Sequence, residues 1–198
     1  MTDLQYIIDK TTRTNGQGII SIIHPSQKLL KDINNKIVFI NLERFNKLHK
    51  IYFKDLVFVP SLEIKPFTYA KLKEYFEYEL KVITLSLIFL GQTKEYKKIK
   101  WSSALHKLGL LKKFATILIK EGINSYRDLD NIKPLQLQQI SQQLYNSSKK
   151  KINEINSSFS ILYNYGLIKF ETLNYILENR TKKLTEPYSS RSFTIIPN

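Results

Sequence analysis

The sequence predicts a mainly α protein. A bundle of about five helices, residues 67–180, is expected to follow a small mixed α/β region, residues 1–66, and to lead into an extended linker, 181–198. Three observations point there. From residue 67 onward apolar residues recur at spacings of three and four; before it, short β-branched and aromatic runs stand between turn residues; after 180 neither period persists.

Within the first region, "GIISIIH" at 18–24 is bounded by "TNGQG" and Pro25 and reads as a strand. "KIVFIN" at 36–41 is a second, and "IYFKDLVFVP" at 51–60 a third, with a short helix expected over 42–50 between them. The bundle is expected to open with a helix over 67–91, capped by Thr68 and stopped by Gly91. A basic connector, "QTKEYKKIK", leads to a second helix over 102–121, with Ser102 or Ser103 as cap, Gly122 as stop, and an inward stripe of Leu105, Leu108, Leu111, Phe114, Ala115 and Leu118. Gly109 lies inside it at a cost of about 1 kcal/mol against alanine. A third helix starts at Pro134 and runs to about Tyr145, burying Leu137, Ile140 and Leu144. A fourth is expected to open at Ser147, bury Ile152, Ile155, Phe159 and Leu162, and end at Gly166. A short fifth covers 170–179.

The 198 residues carry a formal charge of +14. Such an excess favours a polyanionic partner, nucleic acid first and a membrane surface second. Residues 91–198 hold 18 basic and 8 acidic side chains, so most of the excess sits in the helical part. Twenty-six lysines against five arginines also fit an AT-rich coding sequence, the plain compositional alternative. The absence of cysteine removes disulfides and thiol chemistry and is compatible with a reducing cytosol, so a cytoplasmic location is expected. "MTDLQYIIDK" lacks the pattern of a signal peptide, and the longest apolar run, near 82–90, is too short to cross a bilayer.

Motifs for catalysis are missing. His24, His49 and His106 do not pair at metal-ligand spacing, "NGQG" lacks the Lys-Ser/Thr of a phosphate-binding loop, and no G-x-S-x-G occurs. Glu74, Glu77 and Glu79 sit among lysines and read as a solvated face. No catalytic residue, metal site or cofactor is therefore expected.

The basic clusters carry more information. "KEYKKIKW" at 94–101 joins Lys97, Lys98 and Lys100 to aromatic rings; it fits phosphate contact, or a solvated linker with Trp101 anchored in the core. Lys107, Lys112 and Lys113 are expected on the outer side of the second helix, with His106 either at a phosphate or plain surface. Ser147 and Ser148 followed by Lys149, Lys150 and Lys151 place cations at a helix start, where the macrodipole disfavours them. Free backbone N–H groups and these lysines together make an anion site; the alternative is a lysine-rich loop held in water.

The order of these features resembles the core-binding (SAM-like) N-terminal domain of tyrosine recombinases, the phage-integrase family. "ALHKLGLLKKFATILIKEGI" is similar to the family's first long helix, "SYRDLDNIKPLQLQQISQQLY" to its loop and proline-started helix, "SSKKKINEINSSFSILYNYGLI" to its next helix, and "RSFTIIP" to the passage toward its catalytic domain. The arginine common in that next helix is missing from "SSKKK". The resemblance implies a domain that closes one side of a clamp around duplex DNA, in the company of other protomers of a full-length recombinase. The family's catalytic residues cannot be carried over: no histidine here has an arginine three positions on. The chain is thus expected to be a non-enzymatic part of a strand-breaking and rejoining parent. Phosphate contacts are expected from the residues named above and, along the linker, from Arg180, Lys182, Lys183 and Arg191. The rival expectation is a helical protein-interaction adaptor using an apolar face near 82–90.

Overall fold

The computed structural model describes residues 2–15, 20–42, 48–60, 65–90, 100–147 and 152–184. Helices dominate, with short antiparallel strand pairs in the first third. Two short helices stand in the N-terminal region beside its strands. Helix α1, Leu4–Thr11, buries Ile7, Ile8 and Thr11 on one side. Helix α2, Gln27–Ile33, opens at Ser26, whose Oγ accepts from the Leu29 N–H at 3.1 Å. Strands β1, Thr12–Thr14, and β2, Ile20–Ile22, pair antiparallel around the glycine-bearing segment. Strands β3, Ile37–Leu42, and β4, Leu48–Tyr52, form a second pair with Asn41 opposite His49. The helix expected over 42–50 is therefore absent at its described ends: Leu42 and Leu48–Lys50 extend to satisfy each other's backbone groups across the hairpin.

The third pair corrects the start of the bundle. Strands β5, Val57–Phe58, and β6, Phe67–Thr68, pair antiparallel, and the Tyr69 N–H continues to the Leu56 carbonyl at 2.8 Å. Helix α3 begins only at Glu74 and runs to Phe89. Thr68 caps no helix; its hydroxyl accepts from the Ala70 N–H in a turn that carries Lys71 at φ 71°. Helix α4, Trp101–Lys120, starts without a side-chain cap, so Ser102 and Ser103 lie inside its first turn, exposed.

Gly122 ends α4 at φ 80°, with the Ile123 N–H bonded to the Leu118 carbonyl and the Gly122 N–H to that of Ile119. A 3-10 turn, Tyr126–Asn131, opens on a capping box of Ser125 and Asp128. Helix α5, Pro134–Ser147, buries Leu137, Ile140 and Leu144 as the period predicts. Helix α6, Ile152–Asn164, buries Ile155, Phe159 and Leu162 and ends at Gly166, φ 63°, in the same C-cap geometry. Ser147 thus belongs to α5, not to the start of α6. Helix α7, Phe170–Leu184, takes in residues 181–184 that the sequence reading gave to an extended linker. Asp130 holds its start, accepting from the Lys169 N–H at 2.9 Å and the Thr172 hydroxyl at 2.6 Å.

One hydrophobic core runs through these elements, joining Ile7, Ile22, Ile33 and Phe58 to Phe76, Leu111, Phe159 and Ile176. Helix α3 lies at its centre, in contact with α1, β2 and α4, while α4 also packs on α5 and α6. Residues 78–87 of α3 are buried without interruption, which forces its polar side chains inside too. Among the described residues no helix is long and apolar enough to cross a membrane.

Candidate nucleic-acid interface

Helices α4 and α5 define the surface. The 20 residues of α4 contain four lysines and one histidine, the 14 of α5 contain five glutamines and no charge, and neither holds a carboxylate. Ser102, His106, Gly109, Thr116 and Lys120 are exposed and recur along α4 at spacings that keep them on one face. Lys113 falls on the same stripe and reaches across to α5, donating to the Ser147 carbonyl. A cation there meets the negative end of the α5 dipole, so the sequence-predicted phosphate ligand is also an internal strut. Gln136, Gln139 and Gln143 are exposed on α5, and Gln143 bonds Glu121 at 3.3 Å just past the end of α4.

Lys112 stands at the edge of this face. Its ammonium donates to the Thr68 carbonyl at 2.5 Å and lies 5.9 Å from the centre of the Phe67 ring. Burial, and then the like charge of Lys71, lower its pKa. Lys107 is placed differently from the expectation. It precedes Leu111, Phe114 and Leu118 by four, seven and eleven residues, so it shares their inward face. It is half-buried, and burial lowers its pKa. A phosphate contact by Lys107 would need its stem to bend out past that packing.

Lys100 is exposed immediately before α4. Trp101 takes the anchoring role: it is buried, packs edge-on against Phe39 at 6.4 Å, and donates its indole N–H to the Lys65 carbonyl at 2.8 Å. Lys97, Lys98, Ser148, Lys149, Lys150, Lys151 and Arg191 lie outside the described residues; in the chain, Ser148–Lys151 join the end of α5 to the start of α6. Arg180, Lys182 and Lys183 belong to the last turns of α7. Lys65 and Lys71 are exposed cations that sequence reasoning missed: the Trp101 indole reaches the Lys65 carbonyl across the boundary drawn at residue 66, and Lys71 lies in the turn that follows Thr68, where a helix was expected.

The acidic cluster is only in part a solvated face: Glu74 is exposed and Glu77 partly so, but Glu79 is buried. Glu79 has no exposed surface; its two oxygens accept from the Ser125 hydroxyl at 2.6 Å and the Tyr126 N–H at 3.0 Å. Burial raises its pKa to about 7 against those bonds and the Arg127 guanidinium 3.8 Å away. Lys81 is 2% exposed, paired with Glu77 at 2.5 Å and surrounded by the rings of Phe53, Phe58 and Tyr69 at 5.5–5.8 Å. Both groups are spent on folding, and neither faces solvent. The apolar face expected of an adaptor is likewise internal: Val82, Ile83, Leu85 and Leu87 are at most 1% exposed. Comparison with protein-family models, with curated proteins and with solved structures finds no match to this chain.

Proposed function

We propose that this chain binds duplex DNA, holding it mainly through backbone phosphates, as the clamping N-terminal part of a tyrosine recombinase. The observation that carries the reading is that α4 and α5 themselves hold no carboxylate and present His106, Lys120 and exposed glutamines, with Glu121 at the edge bonded to Gln143. A phosphate backbone meets no like charge from the two helices' own residues, and lysine stems place ammonium groups against it. Glutamine amides offer paired donor and acceptor atoms for base edges or sugars. In the chain, Lys149, Lys150 and Lys151 follow closely on Ser147, whose carbonyl Lys113 reaches.

The test is binding to a 30-base-pair duplex at two salt concentrations, beside a variant with Lys149, Lys150 and Lys151 changed to glutamine. The wild-type chain is expected to bind at low salt with a steep log–log dependence, roughly 0.9 per phosphate contacted. The variant is expected to bind less and with a shallower slope. Salt-insensitive binding, or none, would remove the DNA reading.

A further inference from the structure

We propose that the duplex also rests on the turn after β6, where Lys71 and Lys112 hold one backbone phosphate between them. The inference deepens the DNA-binding reading and rests on it.

The two lysines come from distant parts of the chain and differ in how they are held. The Lys112 ammonium is fixed by the Thr68 carbonyl at 2.5 Å and backed by the Phe67 ring at 5.9 Å. An ammonium has three donors, so one bond to Thr68 leaves two for a ligand. Lys71 stands three residues beyond that same carbonyl, at the exposed end of the turn. The turn is closed by the Ala70 N–H on the Thr68 hydroxyl at 3.2 Å and the Leu72 N–H on the Tyr69 carbonyl at 3.3 Å. Lys71 occupies φ 71°, a region that side-chain-bearing residues seldom enter. The turn therefore places Lys71 three residues beyond the carbonyl that fixes Lys112, and its like charge adds to burial in lowering the Lys112 pKa. Among the described residues, no carboxylate forms an ion pair with either.

A bridging anion turns this repulsion into two attractions. A phosphodiester oxygen pair suits it: it is always ionised and can accept from both ammonium groups at once. The site adjoins the flank of α4, so a duplex lying on the α4–α5 surface reaches it without a second binding mode. Helix α4 would then grip the DNA on one side of its axis through Lys113 and on the other through Lys112 and Lys71.

The experiment measures the salt dependence of 30-base-pair duplex binding for the wild-type chain, Lys71→Gln, Lys112→Gln and the double variant, with Lys31→Gln on α2 as a charge control. Circular dichroism checks that each is folded; Lys71 is exposed, so its variant reports even if Lys112→Gln is perturbed. Each single variant is expected to weaken binding about three- to tenfold at low salt. The double variant is expected to lower the log–log slope by about 0.9 in all, the value for one shared phosphate. If the wild-type chain binds and both singles keep its slope and affinity, the DNA reading stands and this site is wrong. A loss at Lys31→Gln equal to that at Lys71→Gln would also overturn it, since bulk charge would then explain both. If the wild-type chain does not bind the duplex, the reading and the site fall together. Inorganic phosphate at millimolar concentration is the remaining arm: protection by free phosphate equal to that by DNA would assign the seat to a free anion instead.

Discussion

A carboxyl with no exposed surface must either stay neutral or be fully hydrogen-bonded, and Glu79 sits between these conditions. Its pKa is raised from 4.5 to about 7, with burial outweighing the bonds from Ser125 and Tyr126 and the charge of Arg127, while Asp128 adds to the rise. A raised folded-state pKa means the folded chain binds a proton more tightly than the unfolded one. The stability this contributes is complete below about pH 4.5 and is lost as pH rises through about 7. Chemical denaturation is thus expected to show stability falling by about 1–3 kcal/mol between pH 5 and 8 from this residue. Glu79→Gln is expected to flatten that slope, and an unchanged slope would mean that Glu79 titrates normally. Two glycines make a second contrast. A Cβ at Gly166 would lie 2.7 Å from the Ser21 Oγ, at a φ of 63°. Gly166→Ala should therefore cost about 1–2 kcal/mol or more for the backbone alone. Gly109 is helical, and a Cβ there meets nothing within 4 Å, so Gly109→Ala should stabilise the chain by about 0.5–1 kcal/mol. Thermal melts of the two variants are expected to move in opposite directions.

At the scale of elements, local signals explain what was legible. Helices α4, α5 and α6 carry clean apolar periods, and Gly122 and Gly166 mark their ends because only the left-handed region closes those C-caps. The start of α3 was misread because "FTYAKLK" has helical spacing of its apolar residues. What decides its conformation is a partner distant in sequence, β5, whose backbone groups Phe67 and Thr68 satisfy. Lys107 was expected on the outer side although its spacing from Leu111, Phe114 and Leu118 already put it on their inward face; the neighbourhood of Lys71 and Lys112 has no such local signal, because only tertiary contact creates it. Helix α3 also shows why a charged segment need not be a surface. Its buried stretch carries Lys81 inward, where Glu77 and three aromatic rings receive it. Glu77→Ala should leave that cation buried without its partner and cost about 3 kcal/mol, whereas Lys81→Met keeps the volume, removes the charge and should be close to neutral. Urea denaturation of the two variants separates a paired charge from mere packing: equal losses would contradict the pairing.

For the molecule as a whole, the decisive feature is that the core does not respect the change of sequence texture at residue 66. The Tyr78 hydroxyl donates to the Ile23 carbonyl at 2.9 Å, the Ile22 N–H donates to the Tyr165 carbonyl at 3.0 Å, and Arg127 donates to the Ile22 carbonyl. These bonds tie β2 to α3, to the end of α6 and to the 3-10 turn, so the N-terminal elements complete the helical part. Buried apolar surface contributes roughly 25 cal/mol for each Å² removed from water, and α3 would expose much of its buried face if residues 1–66 were cut away. The chain is therefore expected to unfold in one transition, with helical circular dichroism and the fluorescence of Trp101 coinciding. Trp101 reports on both parts, since it packs on Phe39 and bonds Lys65. A fragment starting at residue 67 is expected to be unfolded or aggregated. Two separated transitions, or a folded fragment, would show that the helical part is stable by itself. This cooperativity bears on the DNA reading: a phosphate seat shared between Lys71 and Lys112 keeps its geometry only if the turn after β6 and α4 move as one body.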